Sequence, residues 1–218
     1  MGDEGTEGNC TVTAVMPAYN EAGRIGETIR SVAAYVDRVV VIDDASTYAT
    51  ATKAREAGAT VVTHSTNQGY IASIESGFSR VDDGIVVTVD ADGELPAGCI
   101  PDLVRPVCRG EADMMQGQRG QIVRPTERFL TWLAGWGGEV GDSGTGFRAL
   151  RVDLAKTLEL RGACICGVFS LEVLGRDGHI EEVPVQLNNV DKPRGIAWHH
   201  FRQVFYVVAA LLQKWLTS

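Results

Sequence analysis

The sequence predicts an α/β domain: a mostly parallel sheet with helices on both faces. Three observations lead there. Short runs rich in β-branched residues, at 11–16, 39–42, 60–63 and 85–89, alternate with longer segments of helical periodicity in a βαβαβαβ order. Most of these runs are apolar at nearly every position rather than every second one, as strands covered on both faces are. Two of them stop at acidic pairs, Asp43-Asp44 and Asp90-Ala91-Asp92. In a parallel sheet those ends share one edge, and that edge is where open α/β sheets bind ligands.

Residues 1–10 form an acidic, Gly-rich tail that lacks the basic start and apolar run of a signal peptide and is expected to be disordered. The strand at 11–16 is stopped by Pro17, and Asn20 in the loop Pro17-Ala18-Tyr19-Asn20-Glu21 is a helix cap by type. Ile25, Ile29, Val32, Ala33 and Val36 then recur at helical spacing across 21–36. The strand at 39–42 ends at Asp43-Asp44. Ser46-Thr47 opens a helix to about residue 57, which Gly58 stops. Strand 60–63 follows, then Asn67-Gln68-Gly69 and a helix over 70–81, then strand 85–89.

Beyond it, 96–109 reads as a helix with Pro in its first turn and 113–119 as a further strand. A loop at 120–125 lies close to Arg119 and Arg124. The helix at 126–140 carries Phe129, Leu130, Trp132, Leu133 and Trp136, and Gly135, Gly137 and Gly138 weaken its second half. A polar, glycine-rich loop spans 141–148. Helices follow at 152–160 and 168–176, and 180–190 is extended with Pro184 inside it. Residues 198–216 form a last helix, apolar on nearly every side over 204–212. That run is too short to span a bilayer, so the helix docks on the core or lies on a membrane surface.

Composition narrows the function. The apolar content of 44% allows a sizeable core in one large domain, and no internal repeat or linker divides it. A net charge of -8 argues against general nucleic-acid binding, because no basic excess is available to neutralise phosphates. Five cysteines without a Cys-x-x-Cys pair read as reduced thiols of a cytoplasmic protein and not as a zinc site. No Gly-x-Gly-x-x-Gly follows the first strand, which excludes the usual dinucleotide fingerprint.

The chemistry concentrates at Asp90-Ala91-Asp92-Gly93-Glu94. Ionised carboxylates are too costly to bury without partners, so the strand delivers Asp90 and Asp92 to its carboxyl end. Two carboxylates at i and i+2 on an extended segment suit one hard divalent cation, Mg2+ or Mn2+, that also holds substrate phosphates. The same residues equally suit a plain polar turn.

Pro17-Ala18-Tyr19-Asn20-Glu21, Val41-Ile42-Asp43-Asp44-Ala45-Ser46-Thr47 and Asp90-Ala91-Asp92, in this order and spacing, resemble the GT-A glycosyltransferases of family 2. Gly144-Thr145-Gly146-Phe147-Arg148 and Ile180-Glu181-Glu182-Val183-Pro184-Val185 resemble the branch of dolichyl-phosphate mannosyltransferases and polyprenyl-phosphate glycosyltransferases. The resemblance covers roughly 12–190. It implies a GT-A domain at 11–197 with a C-terminal helix at 198–218. It also implies a nucleotide-sugar donor (GDP-mannose or UDP-glucose), Mg2+ or Mn2+, and a polyprenyl or dolichyl phosphate acceptor. The place implied is cytoplasmic, peripheral on the cytoplasmic face of a membrane.

Carried over, Pro17, Tyr19 and Glu21 line the base and ribose, and Ile42 and Asp44 complete that pocket. Asp90, Ala91 and Asp92 meet the donor diphosphate, with Asp90 and Asp92 as metal ligands. Glu94 is a further ligand where the family often has Gln. Arg119 stands near the transferring phosphate, with Asp142 and Arg148 beside it in the catalytic set. Arg128 and Arg194 match the acceptor phosphate site. An acceptor phosphate is already ionised and needs positioning and charge neutralisation, which fits the lack of a catalytic His or Cys dyad.

The chain departs from the pattern at Tyr48, where relatives carry Asp, and at Lys192-Pro193-Arg194-Gly195, where a Ser-Lys segment is usual. A glycan, protein or small-molecule acceptor, or a non-catalytic partner subunit keeping the fold, stands as the alternative. Four readings stay two-sided. Asp142 steers the acceptor or acts as a base, or it bonds loop amides. Arg148 pairs with phosphate or with a buried carboxylate such as Glu172. Trp132 and Trp136 touch lipid, or they make core or oligomer contacts. His199-His200 meets a phosphate or metal, or it faces solvent.

Overall fold

The structure is a computed structural model that describes residues 10–120, 125–138, 140–162, 164–188 and 197–217, with the side chains of 197–201 and 217 outside the description. The first half alternates as the apolar runs predict: β1 (Val12–Ala18), α1 (Ile25–Val32), β2 (Arg38–Asp43), α2 (Thr50–Glu56), β3 (Thr60–Thr63), α3 (Tyr70–Phe78) and β4 (Ile85–Thr88). The second half comprises α4 (Ile100–Cys108), β5 (Met114–Arg119), α5 (Pro125–Ala134), β6 (Arg148–Arg151), α6 (Val152–Thr157), α7 (Val168–Leu174), β7 (Ile180–Val185) and α8 (Ala197–Thr217).

One seven-stranded sheet runs β3-β2-β1-β4-β6-β5-β7. All neighbours are parallel except β6, which is antiparallel to both β4 and β5. The strands are apolar throughout because both faces are covered. Ala14, Met16 and Val87 pack with Ile29 and Leu103 on the face of α1, α2 and α4. Val15 and Val86 pack with Ile74, Phe78 and Phe169 on the face of α3, α6 and α7. Adjacent residues of one strand thus feed opposite cores, as the two-residue period of a strand requires.

Several local expectations change. Asn20 does not cap α1. It sits in the left-handed region (φ 58°), and its Oδ1 accepts from Thr47 N at 2.9 Å and Thr47 Oγ1 at 3.1 Å. Its own N–H donates to Ser46 Oγ at 2.9 Å. Ser46 and Thr47 therefore tie two loops together, and α2 starts only at Thr50. The helix foreseen at 126–140 ends at Ala134 and tightens into a 3-10 turn at Gly135–Gly137. β6 lies partly within the stretch read as a loop. Its four residues, Arg-Ala-Leu-Arg, carry no apolar run to announce a strand.

The reduced state expected for all five cysteines is corrected for two of them: Cys10 and Cys108 form a disulfide, with Cα atoms 6.0 Å apart and a sequence separation of 98. The fold makes the pair by bringing the chain before β1 beside the end of α4, a juxtaposition no local spacing encodes. The tail at 1–9 and Arg194 lie outside the described residues.

The last helix is docked on one side and exposed on the other. Val207 and Leu211 pack against Leu130, Ala134 and Leu171, and buried Gln203 bonds Cys164 N at 3.1 Å and Cys166 O at 3.2 Å. Phe205, Leu212 and Trp215 are exposed, as are Phe129 and Trp132 of α5 and Trp136 of the 3-10 turn that follows it. Among the described residues no helix is long and apolar enough to cross a membrane.

Candidate active site

A cleft of about 260 Å³ opens at the carboxyl ends of β1, β2 and β4. Pro17, Tyr19, Glu21, Asp44, Asp90, Ala91 and Asp92, seven of the residues singled out for donor binding, line it together. The physical reason is the sheet edge. Parallel β1, β2 and β4 all end here, so three loops distant in sequence converge. Tyr19 stands half exposed at the rim. Ile42 is fully buried in β2 and is not in the lining, so it supports the cleft from within the core.

Asp44 builds the wall as well as facing the cleft. Its Oδ1 accepts from Gln68 N at 2.8 Å and its Oδ2 from Gly69 N at 2.7 Å. His64 Nδ1 adds a contact at 2.7 Å, and His64 Nε2 meets Ser76 Oγ at 2.9 Å. The carboxylate thereby anchors the loop before α3. That loop adds Asn67, Gly69 and Tyr70 to the lining, three residues the sequence reading treated only as a helix start. The signal for them was the Asn-Gln-Gly-Tyr order after β3. Gly69 adopts φ 91°, which a side chain resists.

Tyr70 is the most consequential of these. Its hydroxyl donates to Asp90 Oδ1 at 2.8 Å. Burial, then the charge of Asp90, pushes the phenol well above its ordinary pKa, so it remains a donor. From the other side the loop at 144–146 presses on the same carboxylate. A Cβ on Gly146 would lie 2.4 Å from Asp90 Oδ2. Thr88 Oγ1 holds that loop by donating to Gly146 O at 2.8 Å.

Asp92 is buried, and its Oδ1 accepts from Glu94 N at 3.1 Å across a turn completed by Gly93 at φ 74°. Glu94 lines an adjoining pocket of about 520 Å³ with Arg24 and Asp92 instead of the cleft. Among the described residues no three His, Cys, Asp or Glu side chains gather into a metal cluster. Two carboxylates are still a fitting donor set. Mg2+-type sites use one or two, with substrate phosphate and water filling the rest.

The profile described as "Glycosyl transferase family 2" matches residues 13–156. The chain belongs to glycosyl transferase family 2. This glycosyltransferase is 36% identical over 111 residues to an uncharacterized glycosyltransferase of Mycobacterium tuberculosis, covering 51% of this chain and 50% of the relative. It is 28% identical over 221 residues to the low-salt glycan biosynthesis hexosyltransferase Agl6 of Haloferax volcanii, covering 88% and 52%. A dodecaprenyl-phosphate galacturonate synthase of Rhizobium johnstonii is 26% identical over 173 residues, covering 69% and 51%. The chain spans about half the length of these relatives. Among solved structures, glucosyl-3-phosphoglycerate synthase of Mycobacterium tuberculosis, in complex with Mn2+, UDP and glucosyl-3-phosphoglycerate, superposes with a TM-score of 0.76 at 25% identity, covering 94% of this chain and 80% of that one.

Of the remaining foreseen residues, Arg119, Asp142 and Arg148 gather around the 142–148 loop, and none of them lines the cleft. Arg119 is gripped by Asp142: Nε to Oδ2 at 2.7 Å, Nη2 to Oδ1 at 2.8 Å, and the backbone N to Oδ2 at 3.1 Å. Glu127 of α5 adds a contact to Nη2 at 3.3 Å. Burial alone would depress the guanidinium, but the bonds and charge of Asp142, with Glu127 behind, hold it more firmly protonated than usual. Asp142 also accepts from Gly144 N at 3.3 Å, so of its two readings the structure shows the amide-bonding one.

Arg148 does not pair with Glu172. It is fully buried, donates to Ser143 O at 2.9 Å and to Thr145 O, and stacks 4.6 Å from the Phe169 ring centroid. Glu172 pairs instead with Arg176 at 2.6 Å. Arg148 thus braces the 143–145 loop from inside, and burial lowers its pKa. Arg128 is exposed on α5, and Tyr48, the departure from the family pattern, is exposed at the surface.

Proposed function

We propose that this glycosyltransferase moves a hexose, with inversion, from a nucleotide-diphosphate sugar to a polyprenyl phosphate. The carrying observation is the convergence of Tyr19, Asp44, Tyr70, Asp90 and Asp92 on one cleft at the sheet edge. Relatives named for dodecaprenyl- and undecaprenyl-phosphate acceptors support the acceptor class. UDP and UDP-glucose in the solved neighbours favour UDP-glucose over GDP-mannose as donor.

Asp90 and Asp92 would hold Mg2+ or Mn2+. Bound there, the ion supplies charge stabilisation for the departing diphosphate. The chain's own residues do the rest. Tyr19 offers an aromatic face to the base. Tyr70 and Gly146 fix the Asp90 carboxylate from two sides. The 144–146 loop links Asp90 to the Arg119 cation, since a Cβ on Gly144 would lie 3.0 Å from Arg119 Nη2. An acceptor phosphate oxygen attacks the anomeric carbon, the bond to the diphosphate oxygen breaks, and no proton need move at neutral pH because a phosphate monoester is already ionised. Glu21 and Ala91 complete the donor side, and Arg128 and Arg194 are assigned to the acceptor phosphate.

We propose that the enzyme is peripheral on a membrane surface; the Cys10–Cys108 disulfide removes the reduced-thiol argument for the cytoplasmic side. The face formed by α5, the 3-10 turn after it and α8 exposes Phe129, Trp132, Trp136, Phe205 and Trp215. Within a chain of net charge -8, α8 contains no Asp or Glu, and the one acid of α5, Glu127, is buried against Arg119. Aromatic side chains with only basic charges among them suit an anionic lipid surface.

The second reading is a small phosphorylated acceptor. The glucosyl-3-phosphoglycerate synthase fold, which covers 94% of this chain, favours it. A screen of nucleotide sugars against undecaprenyl phosphate and 3-phosphoglycerate, with Mg2+, Mn2+ or EDTA, separates the two. Asp92→Ala is expected to abolish metal-dependent transfer. Normal metal-dependent turnover by that variant would refute the assignment.

A further inference from the structure

Glu182 lies outside the cleft and belongs to none of the motif roles above, yet it accepts four hydrogen bonds, as many as Asp142 does. It sits on β7 opposite Gln116 of β5. Its Oε1 accepts from the backbone N–H of Gly141 and of Asp142, both at 2.9 Å, and from Gln116 Nε2. Its Oε2 accepts from Gln118 Nε2 at 2.9 Å. These four donors are neutral. An ionised acceptor makes each such bond stronger than a neutral one, which is what an otherwise costly half-buried carboxylate achieves here.

The donors are themselves held. Gln116 is fully buried, and its Oε1 accepts from Ser170 Oγ of α7 at 3.2 Å, which turns its amide nitrogen toward Glu182. A Cβ on Gly141 would lie 2.0 Å from Glu182 Oε2, so a side chain there would push the carboxylate out of its place. The glycine at 141 and the carboxylate at 182 therefore form one interlocking unit.

What this unit holds is the start of the loop that reaches both sides of the site. Asp142, whose N–H is clamped, grips Arg119 through its side chain. Four residues on, Gly146 bears on Asp90. We propose that Glu182 is a positioning residue for glycosyl transfer: its carboxylate clamps the 141–142 amides and so sets the Arg119–Asp142 pair and the Asp90 carboxylate. The link to metal binding rests on the role given to Asp90 under the proposed function; the link to the loop does not.

The test compares Glu182→Ala, Glu182→Gln and, as a control, Glu181→Gln on the same strand, where Glu181 is exposed and lies 3.8 Å from His179 Nε2. Hydrogen exchange reads the peptide over 140–147, and calorimetry reads binding of Mn2+ with UDP. Loss of two amide bonds to a charged acceptor predicts a rise in exchange over 140–147 on the order of 10- to 100-fold in Glu182→Ala, with peptides of β1 and β2 unchanged. Mn2+–UDP affinity is expected to fall roughly fivefold or more, following Asp90. Glu182→Gln keeps a carbonyl oxygen for the three donors on Oε1, and Gln118 can turn its amide to meet the new NH2. That variant is expected to recover most of both readouts, and Glu181→Gln to match the parent. Unchanged exchange over 140–147 in Glu182→Ala overturns the proposal. So does a uniform rise across all peptides, which is global destabilisation, or a loosened loop with parental Mn2+–UDP affinity. If the parent itself fails to bind Mn2+ with UDP, the metal reading of Asp90 and Asp92 falls, and the exchange readout still decides whether Glu182 holds the loop.

Discussion

Replacing Gly146 by alanine isolates the position of one carboxylate. Gly146 is not among the positive-φ glycines, so the backbone accepts alanine without strain. The added methyl carbon would stand 2.4 Å from Asp90 Oδ2 and 2.7 Å from its Cγ and Oδ1, where ordinary contact begins at about 3.4 Å. The carboxylate must therefore retreat by about 1 Å, because the loop behind Gly146 is pinned by Thr88 and by buried Arg148. Retreat strains or breaks the Tyr70 bond, a hydrogen bond to a charged acceptor of the kind that contributes about 1.5–3 kcal/mol. A displacement of about 1 Å at a reacting centre costs on the order of 100-fold in rate. Gly146→Ala is thus expected to fold, to melt within a few degrees of the parent, and to lose about two orders of magnitude in kcat/KM. Mn2+–UDP affinity, measured by calorimetry, falls with it. Parental turnover and affinity in this variant would refute the view that the 144–146 loop sets Asp90 for donor binding.

Three other outcomes follow from different parts of the molecule. The Cys10–Cys108 bridge closes a loop across a sequence separation of 98, so Cys10→Ser or reduction is expected to remove on the order of 4 kcal/mol and to lower Tm by roughly 10 °C, read by calorimetry with and without reductant. An unchanged Tm means the bridge contributes nothing to stability in solution. Trp132→Ala combined with Trp136→Ala is expected to weaken co-sedimentation with vesicles of 70:30 phosphatidylcholine and phosphatidylglycerol by about tenfold or more; no parental binding to such vesicles would sink the membrane placement. Hydrogen bonding from Cys166 lowers the Cys164 pKa, while burial and then Asp102 raise that of Cys99. The thiolate is the reactive form, so iodoacetamide is expected to label Cys164 down to a lower pH than Cys99, as peptide mass spectrometry can follow.

Much of this was legible in the chain because it is local. Continuous apolar runs ending in carboxylates announce parallel strands and the edge they share, and β1, β2 and β4 deliver Asp44, Asp90 and Asp92 to it. Where a residue's role depends on distant partners, local reading did not reach it. Arg148 stood at the end of a glycine-rich loop as a partner for phosphate or for a carboxylate such as Glu172, yet antiparallel β6 draws it fully inside against Phe169. Asn20 has the type of a helix cap, but a hydroxyl and an amide from 27 residues away claim its side chain. Tyr70 was a helix start until the end of β4 was set beside it.

Taken alone, the sequence determined the α/β class, the order of the strands' acidic ends, and the carboxylates that those ends bring to one sheet edge. Those follow from hydrophobic period and from the cost of burying charge, which act over a few residues. Only the tertiary structure decided that Arg119 is tied to Asp142 and Glu127, that Glu94 turns to a neighbouring pocket, that Cys10 meets Cys108, and that Glu182 clamps the loop bearing on Asp90. Each of these is a contact between elements far apart in the chain. Its existence depends on where β6 reverses the sheet and how the helices cover it, and no spacing of residues encodes that.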